Sequence, residues 1–141
     1  MQKKERIDGA VYERNYIYNF HYHLIWVSKY RNQAFATPEL VNEMKDILLQ
    51  LAEMKEISIE EMEVMPDHVH LLISFKPKHA PADIVKYLKG HSAKMFLTAH
   101  PEIKNHDFWG GHLWSHSYYM STLGNMSKEV VEKYIRNQYT K

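Results

Sequence analysis

Residues 65–75 read Met65-Pro66-Asp67-His68-Val69-His70-Leu71-Leu72-Ile73-Ser74-Phe75, and the fold turns on how this stretch is read. From Val69 onward it is rich in branched and aromatic side chains, which suit a half-buried pleated surface. Successive side chains of a strand point to opposite faces, so His68 and His70 share one face while Val69, Leu71 and Ile73 share the other. At a rise of about 3.3 Å per residue the two histidine Cα atoms stand roughly 7 Å apart, close enough for both imidazoles to reach one cation. The same spacing also describes two half-exposed, hydrogen-bonded imidazoles, so His-x-His alone does not decide between metal and packing.

Working outward, residues 57–65 alternate like a strand but slip phase at Glu60-Glu61, which predicts a bulge. Pro66-Asp67 then makes a short turn, and the two strands become antiparallel neighbours. Upstream, Thr37-Pro38-Glu39 is a helix start, with a capping hydroxyl, a proline at the first position and an acid near the positive end. Val41, Met44, Leu48 and Leu51 follow as one apolar stripe running to about Met54. Residues 16–27 alternate throughout. Tyr16, Tyr18, Phe20, Tyr22, Leu24 and Trp26 fall on one face, with Ile17, Asn19, His21, His23, Ile25 and Val27 on the other. The second His-x-His, His21 and His23, has no partner motif and reads as packing or support for a site.

Downstream, Pro81 opens a helix in which Ile84, Val85 and Leu88 face inward, and Met95 and Phe96 carry the phase past Gly90 to about Thr98. Residues 100–111, with Pro101, Gly110 and Gly111, read as a loop that leaves Phe108 and Trp109 packed or offered to a ligand. Residues 112–121 read as a fourth strand carrying Trp114, His116, Tyr118 and Met120 on one side. Gly124-Asn125 ends it, and Ser127 can cap a last helix over 127–139. Residues 1–15 are polar without periodicity and read as a loose arm. The order strand, helix, strand, strand, helix, strand, helix predicts an α+β domain of the ferredoxin-like pattern, which RNA-recognition domains share: a four-stranded antiparallel sheet, two packed helices and an added C-terminal helix.

Composition sets limits on function. The 141 residues are 45% hydrophobic and 25% charged, enough for one domain with its own core. No apolar run approaches the roughly 20 residues of a membrane helix, and Met-Gln-Lys-Lys-Glu-Arg is no signal peptide, so the expected compartment is the cytoplasm. With no cysteine, a metal would have to be held by imidazole, carboxylate, amide or water. A net charge of +1 argues against coating nucleic acid by bulk electrostatics but leaves room for a local basic groove. Lys29, Arg31, Lys86, Lys89 and Lys94 are its candidate phosphate ligands, with ordinary solvated lysines as the plain alternative.

The last feature is Tyr134-Ile-Arg-Asn-Gln138. On a helix Tyr134 and Gln138 share a face, whereas Tyr139 points elsewhere. A core tyrosine beside a solvated glutamine would give the same pattern.

Taken together, His-Val-His after Met-Pro-Asp and the late Tyr-x-x-x-Gln resemble the HUH single-tyrosine transposases of the insertion-sequence 200/605 family. Three further blocks fit in the family's order: Tyr22-His-Leu-Ile-Trp-Val-Ser-Lys-Tyr-Arg31, Lys89-Gly-His-Ser-Ala-Lys94 and Leu113-Trp-Ser-His-Ser-Tyr-Tyr119. His116 departs from the smaller residue of the family pattern. The resemblance implies that Tyr134 is the nucleophile and that His68, His70 and Gln138 ligate magnesium or manganese. It further implies that the enzyme cleaves and rejoins single-stranded DNA through a 5′-phosphotyrosine, recognising hairpins near the element ends, as a homodimer whose active sites combine both chains. Two alternatives stand beside it: a non-catalytic single-strand binder of the RNA-recognition type, whose basic-aromatic signature is missing from the third strand, and an HUH nuclease acting on chromosomal repeats.

Overall fold

The computed structural model describes residues 10–14, 16–107, 112–122 and 128–137. In chain order its elements are β1 (Val11–Tyr12), β2 (Ile17–Tyr18), β3 (Tyr22–Val27), α1 (Pro38–Met54), β4 (Ser58–Met65), β5 (His68–Ser74), α2 (Pro81–Ala99), α3 (Pro101–Asp107), β6 (Tyr119–Ser121) and α4 (Lys128–Asn137). The main sheet runs β4-β5-β3-β6 with every neighbour antiparallel, and β1-β2 is a separate ribbon. This is the expected α+β arrangement. No helix among the described residues is long and apolar enough to cross a membrane.

Alternation builds the two faces of the sheet. Leu24 and Trp26 of β3 join Val69, Leu71 and Ile73 of β5 in the main core, where they meet Met44 and Leu48 of α1 and Ile84, Leu88 and Phe96 of α2. Helix α1 begins as the sequence predicts: the Thr37 hydroxyl accepts the Leu40 N–H at 3.3 Å and Pro38 stands at the first turn. The opposite face carries His23, Ile25, His68 and His70, and α4 lies over it against β3. Ile25 is fully buried there without belonging to the main core.

Several boundaries differ from the sequence reading. The alternating run 16–27 divides into β2 and β3, because Ile17 and Tyr18 pair with β1 rather than with the main sheet. Its aromatic side chains still form one series, Tyr16, Tyr18, Phe20 and Tyr22, which ends with Tyr22 stacked on Phe75 at 5.2 Å. The expected arm is ordered at Val11–Tyr12, and residues 1–9 lie outside the described residues. The bulge falls where the phase slips, between Ile59 and Glu61. Residues 101–107 are helical, not loop: Pro101 needs no amide partner in a first turn, and the Ile103 and Lys104 N–H groups donate to the His100 carbonyl. The expected strand 112–121 shrinks to β6, preceded by an isolated bridge between Ser28 and Trp114. Phe108, Trp109, Gly124, Asn125 and Ser127 lie outside the described residues.

Candidate active site

Met-Pro-Asp delivers β5 with a carboxylate at its mouth. Asp67 Oδ1 lies 3.0 Å from His68 Nδ1, and Oδ2 accepts from Arg31 Nε at 3.3 Å. The His68 hydrogen bond is the main reason the Asp67 carboxyl sits below the usual aspartate range; burial opposes it and Arg31 assists. With Nδ1 held by Asp67, His68 is left to present Nε2. Arg31 reaches Asp67 from a tight turn in which Tyr30 and Arg31 both adopt left-handed backbone, with φ of 58° and 57°. Backbone bonds lock that turn to the same corner, Ser28 N–H to the Asp67 carbonyl and Phe35 N–H to the Pro66 carbonyl.

His70 sits two residues on, opposite Ile25 on β3 and Glu63 on β4. Its Nε2 is 3.3 Å from Nδ1 of His23. Burial first, then the neighbouring His23, pushes the His70 pKa down, so the ring stays neutral and able to donate a lone pair. A cleft of about 420 Å³, lined by Glu61, Glu63, His70 and Leu72 among others, opens beside it.

Ile25 pairs with His70 on one side and Tyr119 on the other, so all three side chains share a face. The Tyr134 ring lies 5.8 Å from that of Tyr119, and its hydroxyl is 2.9 Å from Ser117 Oγ. Burial raises the phenol pKa and the Ser117 hydrogen bond partly offsets it. Tyr134 therefore stands over the face that carries the histidine pair. Its neighbour Tyr119 stands two strand spacings from His70, roughly 10 Å, and among the described residues no hydrogen bond joins Tyr134 to His68 or His70.

Helix α2 fixes the segment that meets Tyr134. Lys89 Nζ donates to the carbonyls of Ser115 at 2.7 Å and Ser117 at 2.9 Å, and Trp114 Nε1 donates to Ser92 Oγ at 3.0 Å. From the other side, Lys29 N–H donates to the Leu113 carbonyl and Ser115 N–H to the Val27 carbonyl. Burial pulls the Lys89 ammonium down to about 8.

The other expected site residues divide. Gln138 lies outside the described residues. Arg31 is turned to Asp67, Lys89 to two carbonyls, and Lys29 lies 5.4 Å over the Tyr30 ring, while Lys86 and Lys94 are exposed. Sequence reasoning did not single out Asp67, which read only as a turn residue, or Ser117, whose strand assignment concealed a loop. His23 was visible as a motif, but its nearness to His70 depends on the register of β3 against β5. Among the described residues no cluster of three or more His, Asp or Glu side chains could enclose a metal. Two imidazoles, one oriented by a carboxylate, fit a divalent cation that takes its remaining ligands elsewhere.

Two helices cover one face of the four-stranded antiparallel sheet, and the other face carries the His-x-His pair of β5 and, against β3, a tyrosine-bearing helix. A REP-associated tyrosine transposase, solved bound to a REP hairpin, has the same fold with a TM-score of 0.54 and 16% identity, over 90% of this chain and 67% of that one. The chain itself belongs to the family described as "Transposase IS200 like", whose model matches residues 16–138. It is 44% identical over 128 residues to the ISDra2 transposase TnpA of Deinococcus radiodurans, covering 91% of this chain and 90% of that protein. It is 33% identical over 125 residues to the transposase for insertion sequence element IS200 of Salmonella typhimurium, covering 86% and 78%. A crystal structure from Deinococcus radiodurans R1 superposes with a TM-score of 0.83 at 40% identity, over 93% of this chain and 99% of that one.

Proposed function

We propose that this transposase acts in the cytoplasm on single-stranded DNA, cutting and rejoining it at insertion-sequence ends with Tyr134 as the nucleophile. The observation that carries the reading is the Tyr134 phenol, half-buried over the face of His68 and His70 and held at 2.9 Å by Ser117. In the cutting step the phenolic oxygen bonds to phosphorus, the bond from phosphorus to the 3′-oxygen breaks, and the proton lost by the phenol is matched by one gained at the 3′-hydroxyl. The products are a 5′-phosphotyrosine and a free 3′-end, so the bond energy is kept for rejoining.

A phenol with a raised pKa is neutral at rest and needs help to react. His68 and His70 would hold magnesium or manganese, with Gln138 as the further ligand that family resemblance suggests. A bound cation would supply positive charge for the non-bridging phosphate oxygens. Asp67 fixes the His68 ring, and burial keeps His70 unprotonated. The gap between Tyr134 and the pair favours a site completed in a homodimer, where a second chain's tyrosine helix serves the histidines. Hairpins near the element ends supply recognition.

The test is a denaturation-resistant adduct between the protein and single-stranded DNA from the flanks of its own gene, with magnesium or manganese. Wild type should form the adduct and its mass should map to Tyr134; Tyr134→Phe should bind the same DNA and form none, and His68→Ala with His70→Ala should lose cation-stimulated cutting. Tight hairpin binding without any adduct would instead establish a binding module.

A further inference from the structure

Between α2 and residues 112–118 lies a cavity of about 590 Å³, on the flank of the segment that holds Tyr134. Its described lining carries four lysines and two histidines and no carboxylate. One lysine, Lys89, is already bound to two carbonyls. The others, Lys86, Lys94 and Lys104, are exposed, and none forms an ion pair among the described residues. Two of these cations on α2 and one on α3, with no carboxylate in the described lining, make the cavity locally positive in a chain of net charge +1.

Gly90 is an independent sign. It sits inside α2, where glycine weakens a helix. No neighbour requires it: a Cβ there would meet nothing within 4 Å. What the missing side chain leaves is open space in the cavity wall between Lys86 and Lys94. Those two lysines are separated by about 12 Å of helix, enough to follow a strand past more than one phosphate. Facing them, Tyr118 is 40% exposed and His116 is exposed beside it, so flat rings are available for a base.

We propose that this cavity seats unpaired DNA strand next to the scissile phosphate, with phosphates on Lys86, Lys94 and Lys104 and a base against Tyr118. It rests on the reading of Tyr134 as nucleophile. Segment 115–118 is then shared equipment: one side lines the strand seat and the other, through Ser117, holds the phenol. The seat selects single strand because its rings need a base that is not already stacked in a duplex.

The test uses two labelled probes, an oligothymidylate with no hairpin and a hairpin oligonucleotide, on wild type, on Lys86→Glu with Lys94→Glu, and on Gly90→Leu. The charge-reversed protein should bind the unpaired probe about tenfold or more weaker, with the slope of log affinity against log salt shallower by about 0.7 for each phosphate no longer neutralised. Hairpin affinity should stay within about twofold. Gly90→Leu should melt no lower than wild type, because leucine is the better helix former, yet lose unpaired-probe binding by filling the seat. Equal losses on both probes would make the lysines a hairpin track and overturn the proposal, as would a well-folded Gly90→Leu that binds like wild type. Loss of unpaired-probe binding in the variants, with no adduct from wild type, would leave the seat standing and remove the assignment of Tyr134.

Discussion

At the scale of single residues, the site depends on Asp67 more than its place in a turn suggests. Its carboxylate orients His68 and neutralises Arg31 in a half-buried corner. On the proposed reading of His68 as a metal ligand, Asp67→Ala should lower cation-stimulated cleavage by roughly 10- to 100-fold, the usual effect of removing the group that orients such a histidine. Stability should fall by about 1–3 kcal/mol because two charged or polar partners lose their acceptor. The acid dependence has a definite sign. A carboxyl whose pKa is lowered by folding stabilises above its ordinary value of 3.8 and loses that contribution as pH falls through the depressed value. Urea midpoints of wild type and Asp67→Ala should therefore differ at neutral pH and converge below about 3.8. The pair His68 and His70 was legible because strand alternation is a local property. The approach of His23 to His70 was not, since it joins residues 47 apart in sequence and depends on which strands lie side by side.

At the scale of elements, α2 and the segment before β6 act as one unit. Lys89 and Ser92, three apart and so on one flank of the helix, take hold of Trp114, Ser115 and Ser117. A helix-to-loop clamp of this kind leaves no periodic signal. The spacing of Trp114, His116, Tyr118 and Met120 looked like a strand, yet Trp114 is buried while His116 is exposed: strand pairing stops at the bridge from Trp114 to Ser28, and beyond it Lys89 of α2 holds the Ser115 and Ser117 carbonyls until β6 begins. Lys89→Met keeps the length of the side chain and removes both hydrogen bonds. It should slow adduct formation at Tyr134 with little change in hairpin affinity. The pKa of about 8 adds a second readout. The unfolded chain keeps a proton on Lys89 up to its ordinary 10.5, whereas the folded chain releases it near 8. The cost of burying the charge is therefore present below pH 8 and fades between pH 8 and 10.5. Relative to Lys89→Met, wild type should gain thermal stability over that window, and parallel melting curves would refute the assignment.

At the scale of the whole molecule, the order of elements along the chain and the division of the strands into two faces were legible because the core writes itself into sequence as alternation in β3 and β5 and as apolar stripes in α1 and α2. Leu71→Ala, at a fully buried position of the central strand pair, should cost about 2–5 kcal/mol in denaturant unfolding, a large part of the roughly 5–15 kcal/mol typical of a domain. Tyr134→Phe should cost far less. What the sequence left unread is where strands end, since that is decided by partners distant in the chain, as with β1 taking Ile17 and Tyr18 away from the sheet. The left-handed turn at Tyr30 and Arg31 carries this dependence into thermodynamic linkage. Each such residue costs about 1–2 kcal/mol of backbone energy, so an unfolded chain hardly visits the conformation that brings Arg31 to Asp67. The cradle of His68 therefore exists only once β3 and β5 have paired. On the proposed reading a cation meets only the bare His-x-His pair in the unfolded chain and the oriented pair in the native one, so melting temperature should climb with cation concentration, by less than the full native affinity would give, and return on chelation.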